Sequence, residues 1–172
     1  VSTNASVTLG TVTVTEGAQV GTITKQVGST NVNLVNLQVT AATQNFQVER
    51  LTLYNAGTTS ASDVTNVKLT YNSNTVATGV WDGKYISFDM TSCTADCKIP
   101  KSETKNYAVQ GDIPSGSSRT LNLDVKRATH FLAKDLNSNQ YRTPTNSASA
   151  MTNTITVSQG KLNVTKVNNV PA

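Results

Sequence analysis

The sequence predicts an all-β protein, and its composition supplies the main observations. Only 14% of the 172 residues are charged and 5% are aromatic, against roughly 25% charged residues in an average domain. Thr, Val, Asn and Ser together supply nearly half of the chain. The β-branched Thr and Val favour strands, whereas Asn and Ser favour turns. This composition excludes a helical bundle, and the length indicates one domain with extensions.

The alternation of apolar and polar residues predicts about 10–11 short strands. Val12 and Val14 alternate with threonines near the start of the chain, for example, and Ile86 and Phe88 share one face later. Between Val48 and Leu51 the alternation slips by one residue, which predicts a β-bulge. Many short strands separated by polar turns indicate a sandwich or barrel. The only helical candidate is THFLAKDL at 129–136, with one or two turns.

Two motifs in the middle of the chain resemble a known family. They are DVTNVKL at 63–69 and IPKSETKNYAVQGDI at 99–113. Both look like strands of the immunoglobulin-like modules that recur in secreted surface and S-layer-type proteins of bacteria and archaea. The resemblance covers about residues 30–158 and carries no catalytic residues. It implies an immunoglobulin-like β-sandwich in an extracellular setting.

The predicted organisation is one sandwich with a strand-like segment at each end. Residues 31–158 contain enough inward-facing aliphatic side chains to fill one core. Residues 1–30 are then an N-terminal strand extension, and residues 159–172 a C-terminal one. The sequence at 160–172 also looks like the opening strand of another module of the same kind.

Cys93 and Cys97 are the only cysteines, separated by three residues in a polar segment. A metal site needs further soft ligands, but the chain has a single histidine, His130. We therefore predict a small-loop disulfide, which implies an oxidising compartment. A reduced and buried pair is the alternative.

No pattern in the sequence indicates an enzyme or a cofactor. His130 has no nucleophile at a recognisable spacing, so a structural role is favoured. Asp135, Asn137 and Asn139 are the best calcium candidates because loop carboxylates and amide carbonyls are hard ligands. No established calcium-loop spacing is present, and an ordinary solvated turn is the preferred interpretation. We predict no catalytic, cofactor-binding or metal-binding residues.

The net charge of +4 is spread along the chain. Nucleic-acid binding needs several cations on one face, so no nucleic-acid partner is predicted. No window approaches the roughly 18 consecutive apolar residues of a transmembrane helix. These observations and the resemblance predict an extracellular protein at the cell surface.

The predicted function is a structural subunit of an extracellular filament or surface layer, with copies of itself as partners. Terminal strands without blocking residues are templates for pairing, so we expect head-to-tail polymerisation by donor-strand exchange. The sequence does not decide which terminus donates. The inserted side chains would be Val7, Leu9, Val12 and Val14 from the N-terminus, or Leu162, Val164 and Val167 from the C-terminus.

Two alternative functions belong to different classes. One is a cell-surface adhesion or carbohydrate-binding module, with Tyr71, Trp81 and Tyr85 as a platform on which cell-surface glycans would stack. The other is a viral structural protein. In a secreted chain, Asn4 and Asn163 head the sequons Asn-Ala-Ser and Asn-Val-Thr and are candidate glycosylation sites.

Overall fold

The computed structural model describes residues 9–18, 21–145, 151 and 153–160. These residues form fourteen strands and one 3₁₀ turn at Ala128–His130, and the predicted fold class, an immunoglobulin-like β-sandwich, is confirmed. Ten strands have four residues or more, close to the number that the alternation predicts. The strands are β1 (Val12–Glu16), β2 (Ile23–Gln26), β3 (Ser29–Ala41), β4 (Phe46–Asn55), β5 (Thr65–Tyr71), β6 (Asn74–Asp82), β7 (Tyr85–Asp89), β8 (Lys98–Ile99), β9 (Thr104–Ile113), β10 (Thr120–Leu121), β11 (Leu123–Asp124), β12 (Phe131–Asp135), β13 (Tyr141–Arg142) and β14 (Ile155–Ser158).

The first sheet has the order β1-β3-β9-β5 and ends on the first half of β6. All its pairs are antiparallel. Leu37 and Val39 of β3 and Tyr107 and Val109 of β9 point into the sandwich and are buried. The residues between them face outward, as the period of two in a strand requires.

The second sheet is built around β4, the strand that contacts the most neighbours. It pairs with β7 and β8 along one edge and with β12 and β11 along the other, and β13 extends the sheet beyond β12. The pairing skips one residue: Leu132 lies opposite Arg50, and Ala133 lies opposite Val48. Glu49 is thus the extra residue of a β-bulge, at the point where the sequence predicts one.

Strand β6 belongs to both sheets. Its first half pairs with β5, with Thr78 opposite Lys68. Its second half pairs with β7, with Gly79 opposite Phe88. A Cβ at Gly79 would lie 2.8 Å from a methyl carbon of Ile86 and 2.9 Å from the ring of Phe88. A residue without a side chain lets the strand pass over the core as it changes sheets.

A small third sheet has the order β10-β14-β2, in which β14 runs parallel to β2. The segment before β14 is fastened by side-chain amides. Asn122 donates to the carbonyls of Met151 and Asn153, at 3.3 and 3.0 Å. The buried Asn153 in turn donates to the carbonyl of Leu34 on β3. These bonds attach the segment to the residue between β10 and β11 and to the first sheet.

The segment predicted as an N-terminal extension contains β1 and β2. In the structure β1 pairs with β3, and Val12 and Val14 are fully buried in the common core. Strand β2 pairs with β14, close to the end of the predicted sandwich. The boundary between residues 30 and 31 stays a prediction, as does the boundary between 158 and 159.

The helical candidate at 129–136 is a strand over most of its length. Only the 3₁₀ turn is helical, and the following residues form β12. Phe131, Ala133 and Asp135 are buried, whereas Leu132 and Lys134 are partly exposed. This alternation has the period of a strand, and pairing with β4 overrides the weak local preference for helix.

The loop before β5 and the loop before β10 are held together by Asp63. Its carboxylate is 3% exposed and accepts hydrogen bonds from the Ser60 backbone at 2.8 Å and the Ser60 hydroxyl at 2.7 Å. The Ser115 hydroxyl donates at 2.9 Å, and Arg119 forms an ion pair at 2.5 Å. Burial raises the pKa of Asp63, but these hydrogen bonds outweigh burial and lower the pKa to about 2.

Candidate interaction site

The outer face of the first sheet carries a groove of about 430 Å³. Its floor is the pair β3 and β9, where Gln38 lies opposite Asn106 and Asn36 lies opposite Ala108. Gln110 continues the floor along β9. These residues alternate with the buried Leu37 and Tyr107, so the strand period places their side chains outward.

A tight turn forms one rim of the groove. Strands β5 and β6 are joined by Asn72 and Ser73, and the flanking Tyr71 and Asn74 pair directly. Asn72 has a φ of 48° and Ser73 a φ of 70°. Two successive positive φ values define the type I′ geometry that matches the twist of a two-residue hairpin. The rim is thus a short connection with little freedom to move.

The groove lining is polar but carries no charged side chain among the residues that form it. Asn36 donates to the carbonyl of Ala18 at 2.6 Å and accepts from Asn33 at 2.9 Å. The hydroxyl of Thr70 donates to the carbonyl of Ala108 at 3.1 Å. These contacts fix the edges of the groove.

Three amide side chains on the floor keep their hydrogen-bonding capacity. Gln38, Asn106 and Gln110 form no side-chain hydrogen bond with any residue that the structure describes. Each amide offers two donors and an acceptor with two lone pairs. Such groups pair well with peptide groups, which also carry one donor and one acceptor.

Among the described residues that line the groove, Tyr107 is the one with a titratable side chain. The phenol of Tyr107 points away to the end of the sandwich, where it donates to the carbonyl of Asp96 at 2.8 Å. Burial raises the pKa of Tyr107 above its ordinary value. The arrangement is therefore suited to recognition through neutral hydrogen bonds.

The sequence alone does not predict this groove. Its signal was the alternation of amides with apolar residues, Asn-x-Gln at 36–38 and Asn-x-Ala-x-Gln at 106–110. Each pattern alone predicts an ordinary solvent-facing side of a strand. Only the pairing of β3 with β9, which are distant in sequence, brings the two rows together.

The three aromatic residues predicted as a sugar platform are separated. Tyr71 packs on Tyr107, with ring centroids 5.5 Å apart, and Trp81 donates its indole N–H to the carbonyl of Val64 at 3.0 Å. Tyr85 packs instead on Tyr54, at 5.3 Å. A stacking platform needs rings on one face, whereas each of these three side chains makes a separate contact within the sandwich. The carbohydrate-binding alternative stays a prediction.

The calcium candidate is a turn closed by its own backbone. The buried carboxylate of Asp135 accepts from the backbone N–H groups of Gly10, Asn137 and Ser138 at 3.1, 2.8 and 3.1 Å. Burial raises the pKa of Asp135, but these hydrogen bonds outweigh it and lower the pKa. Both carboxylate oxygens of Asp135 thus accept hydrogen bonds from the backbone, and the described residues contain no group of three His, Cys, Asp or Glu side chains that could hold a metal ion.

His130 lies beside Tyr85, with ring centroids 5.6 Å apart and the rings perpendicular. Its Nδ1 atom is buried and has no hydrogen-bond partner among the residues described. A triad would require a Ser and a carboxylate within hydrogen-bonding reach of this ring. The imidazole is instead part of a cluster of rings.

Cys93 and Cys97 form a disulfide in the structure, with their Cα atoms 5.8 Å apart. The loop between them covers one end of the sandwich. The carbonyls of Ala95 and Asp96 accept from the ammonium group of Lys105 at 2.9 and 3.2 Å. The loop is therefore fixed by the disulfide and by contacts with β9.

The predicted strand-donor residues fall into two groups. Val12 and Val14 are buried within their own chain, and Leu9 is 52% exposed. The other positions lie outside the described residues. These are Val7, Leu162, Val164 and Val167, together with the sequon residues Asn4 and Asn163.

No family model matches the chain, and no curated protein matches it. Several solved structures of cohesin modules are similar. A type I cohesin of ScaB from Pseudobacteroides cellulosolvens is 14% identical, with 92% of this chain and 99% of that one covered and a TM-score of 0.42. A non-cellulosomal cohesin from Archaeoglobus fulgidus is 13% identical, with 88% and 92% covered and a TM-score of 0.39.

A third similar structure is the sixth cohesin of scaffoldin B from Acetivibrio cellulolyticus, in complex with a dockerin. It is 7% identical, with 87% of this chain and 99% of that one covered and a TM-score of 0.31. Its partner is a different protein, not a second copy of the cohesin. This finding contradicts our prediction that the partners are copies of the same chain, and that prediction is withdrawn. Among the described residues, no helix has the length and apolar character needed to cross a bilayer.

Proposed function

We propose that the chain is a non-catalytic interaction module that acts outside the cell, at its surface, and binds a protein other than itself. The binding surface is the groove on the first sheet, and the amides of Gln38, Asn106 and Gln110, which form no side-chain hydrogen bond within the described part of the chain, carry the proposal. A β-sandwich supports such a surface well, because the packed core beneath it keeps the amides in place.

The chemistry of the groove defines the kind of partner. Because its lining has no charged side chain, a partner gains little there from carboxylates or ammonium groups. Neutral amides instead match a segment that presents peptide groups or uncharged polar side chains. We therefore expect binding that changes little with ionic strength.

An extracellular setting is supported by two features. The Cys93–Cys97 disulfide fits an oxidising compartment. The motifs at 63–69 and 99–113 resemble those of secreted surface modules. Membership of a surface layer would require a separate attachment and forms no part of the proposal.

The test compares two cross-strand pairs on opposite faces. Gln38→Ala with Asn106→Ala removes two opposed amides from the groove. Thr52→Ala with Ser87→Ala is the matched control, because these two residues are also opposed and lie on the second sheet. Each purified protein is immobilised and exposed to the secreted and surface proteins of its source cells. The captured protein is identified and purified, and its Kd is measured for all three chains by calorimetry.

We expect the groove variant to bind about thirtyfold more weakly, since two hydrogen bonds are lost at about 1 kcal/mol each. The control should bind like the wild type, and Kd should change less than about twofold between 50 and 500 mM NaCl. Equal binding by the wild type and the groove variant would exclude the groove as the site. A steep loss of affinity with salt would show that charged groups elsewhere hold the partner.

A further inference from the structure

The outer face of the second sheet carries a cluster of rings and cations. Tyr54 of β4 and Tyr85 of β7 are opposite each other, and His130 meets Tyr85 edge-on. The ammonium group of Lys126 lies 3.9 Å from the centre of the Tyr54 ring. Together with Arg127, these residues are called the basic aromatic cluster.

The two cations of the cluster lack acidic partners. Lys126 and Arg127 are exposed, and neither forms an ion pair with any carboxylate of the described residues. The nearest strand positions do carry acids: Asp82 lies opposite Tyr85, and Asp124 lies opposite Tyr54.

Asp82 is exposed and forms no ion pair with Lys126 or Arg127, whereas the other two charged groups around the cluster have contacts of their own. Asp124 accepts a hydrogen bond from the Met151 backbone at 2.7 Å. Lys84, beside Tyr85 in the chain, donates to the carbonyl of Gly57 at 2.8 Å. The positive charge of Lys126 and Arg127 is therefore available to a ligand.

The positive charge of Lys126 and Arg127 affects the pKa of His130. Burial lowers the pKa of His130, and the positive charges of Arg127 and Lys126 lower it further. Both cations are therefore close enough to the ring to affect its protonation. A bound anion would act on the pKa in the opposite direction.

The rings are arranged unfavourably for a sugar. The planes of Tyr54 and Tyr85 are tilted by 52°, and those of Tyr85 and His130 by 89°. Lys126 covers one face of Tyr54. Stacking of a sugar ring needs an open aromatic face, whereas a carboxylate needs cations and N–H or O–H donors, which this cluster supplies.

We infer that the basic aromatic cluster is a second binding site and that its ligand is an acidic peptide segment. Lys126 and Arg127 pair with the carboxylates of the segment, and the phenols and imidazole beside them donate hydrogen bonds. The site lies on the sheet opposite the groove, so it does not depend on the proposed function. The first sheet would bind an uncharged polar segment, and the second sheet would bind an acidic segment.

The test uses a hexaglutamate peptide and follows the ring protons of His130 by NMR. Because the chain has one histidine, its titration is read without ambiguity. We expect the peptide to raise the pKa of His130, since a nearby anion favours the imidazolium ion. Lys126→Gln with Arg127→Gln should weaken binding about fivefold or more, the combined effect of two exposed ion pairs. The matched control, Lys98→Gln with Lys101→Gln, has the same net charge and should bind like the wild type.

Three results would overturn the inference. One is an unchanged pKa of His130 at saturating peptide. Another is an equal loss of binding in both double variants, which would indicate a response to net charge alone. The third is tighter binding of hexagalacturonate than of hexaglutamate, which would identify an acidic sugar as the ligand. All substituted positions are exposed, and the single variant Arg127→Gln repeats the comparison if the double variant unfolds.

Discussion

Neutralising Asp63 should destabilise the sandwich near neutral pH and have little effect in acid. The carboxylate is nearly buried and accepts four hydrogen bonds, among them the one from Arg119. Asp63→Asn keeps the shape but removes the charge and turns one acceptor into a donor that faces other donors. The variant therefore loses the Arg119 ion pair and places two donors against each other.

The magnitude follows from the pKa, which falls from 3.8 to about 2 on folding. Each pKa unit corresponds to about 1.4 kcal/mol, which sets an upper limit near 2.5 kcal/mol. Arg119 is 49% exposed, so solvent screens its contribution. We expect Asp63→Asn to lower the free energy of unfolding by about 1–2 kcal/mol at pH 7.

The pH dependence supplies a second check. Because folding lowers the pKa of Asp63, its stabilisation is complete above the unfolded value near 4 and disappears as the pH falls through about 2. Urea unfolding of the wild type and of Asp63→Asn at pH 7, 4 and 2 should give curves that converge in acid. Asp89→Asn is the control for an exposed carboxylate: Thr91 donates to Asp89 and lowers its pKa, but solvent screens this site, so the deficit should be smaller than that of Asp63→Asn. The reasoning is refuted if Asp63→Asn is as stable as the wild type at pH 7, or if its deficit at pH 2 is as large as at pH 7.

Three further predictions concern stability and covalent structure. Gly57→Ala should lower the free energy of unfolding by more than about 2 kcal/mol in urea titrations, because the added Cβ would lie 2.2 Å from the carbonyl oxygen of Thr120. The Gly→Ala change at Gly83, where nothing lies within 4 Å but the φ of 58° disfavours a side chain, should cost about 1 kcal/mol. Intact mass after alkylation without reduction should show no added label, since Cys93 and Cys97 are bonded; two labels would contradict this. Asn55→Ala should cost about 2–4 kcal/mol by the same titration, because the buried amide bonds to Thr59 and to the backbone of Gly57, whereas an unchanged midpoint would show that water replaces those bonds.

The fold was largely predictable because alternation along a strand is a local property. The slip between Val48 and Leu51 even locates the bulge at Glu49. Prediction fails where the decisive contact is distant in sequence. The FLAKD segment at 131–135 has only a weak preference of its own, and its strand conformation comes from pairing with β4.

The candidate sites were less predictable for the same reason. Gln38 and Asn106 face each other although 68 positions separate them, since β3 pairs with β9. Tyr54 and Tyr85 are likewise joined only by the register of β4 and β7. Tyr71, Trp81 and Tyr85 show the converse, because their residue types allow a stacking platform but each side chain makes a separate contact. Residue type indicates what a side chain is able to bind, but strand pairing decides which side chains act together.

The passage of β6 from one sheet to the other has a consequence for how the protein opens. If every strand belonged to one sheet only, the two sheets could separate with little loss of hydrogen bonds within either sheet. Here separation would break the hydrogen bonds of β6 on one side of Gly79, because β6 pairs with β5 in one sheet and with β7 in the other. The backbone amides of β5 and β7 should therefore exchange with deuterium through one shared opening event. Local opening should be confined to the short strands at the edges of the sheets.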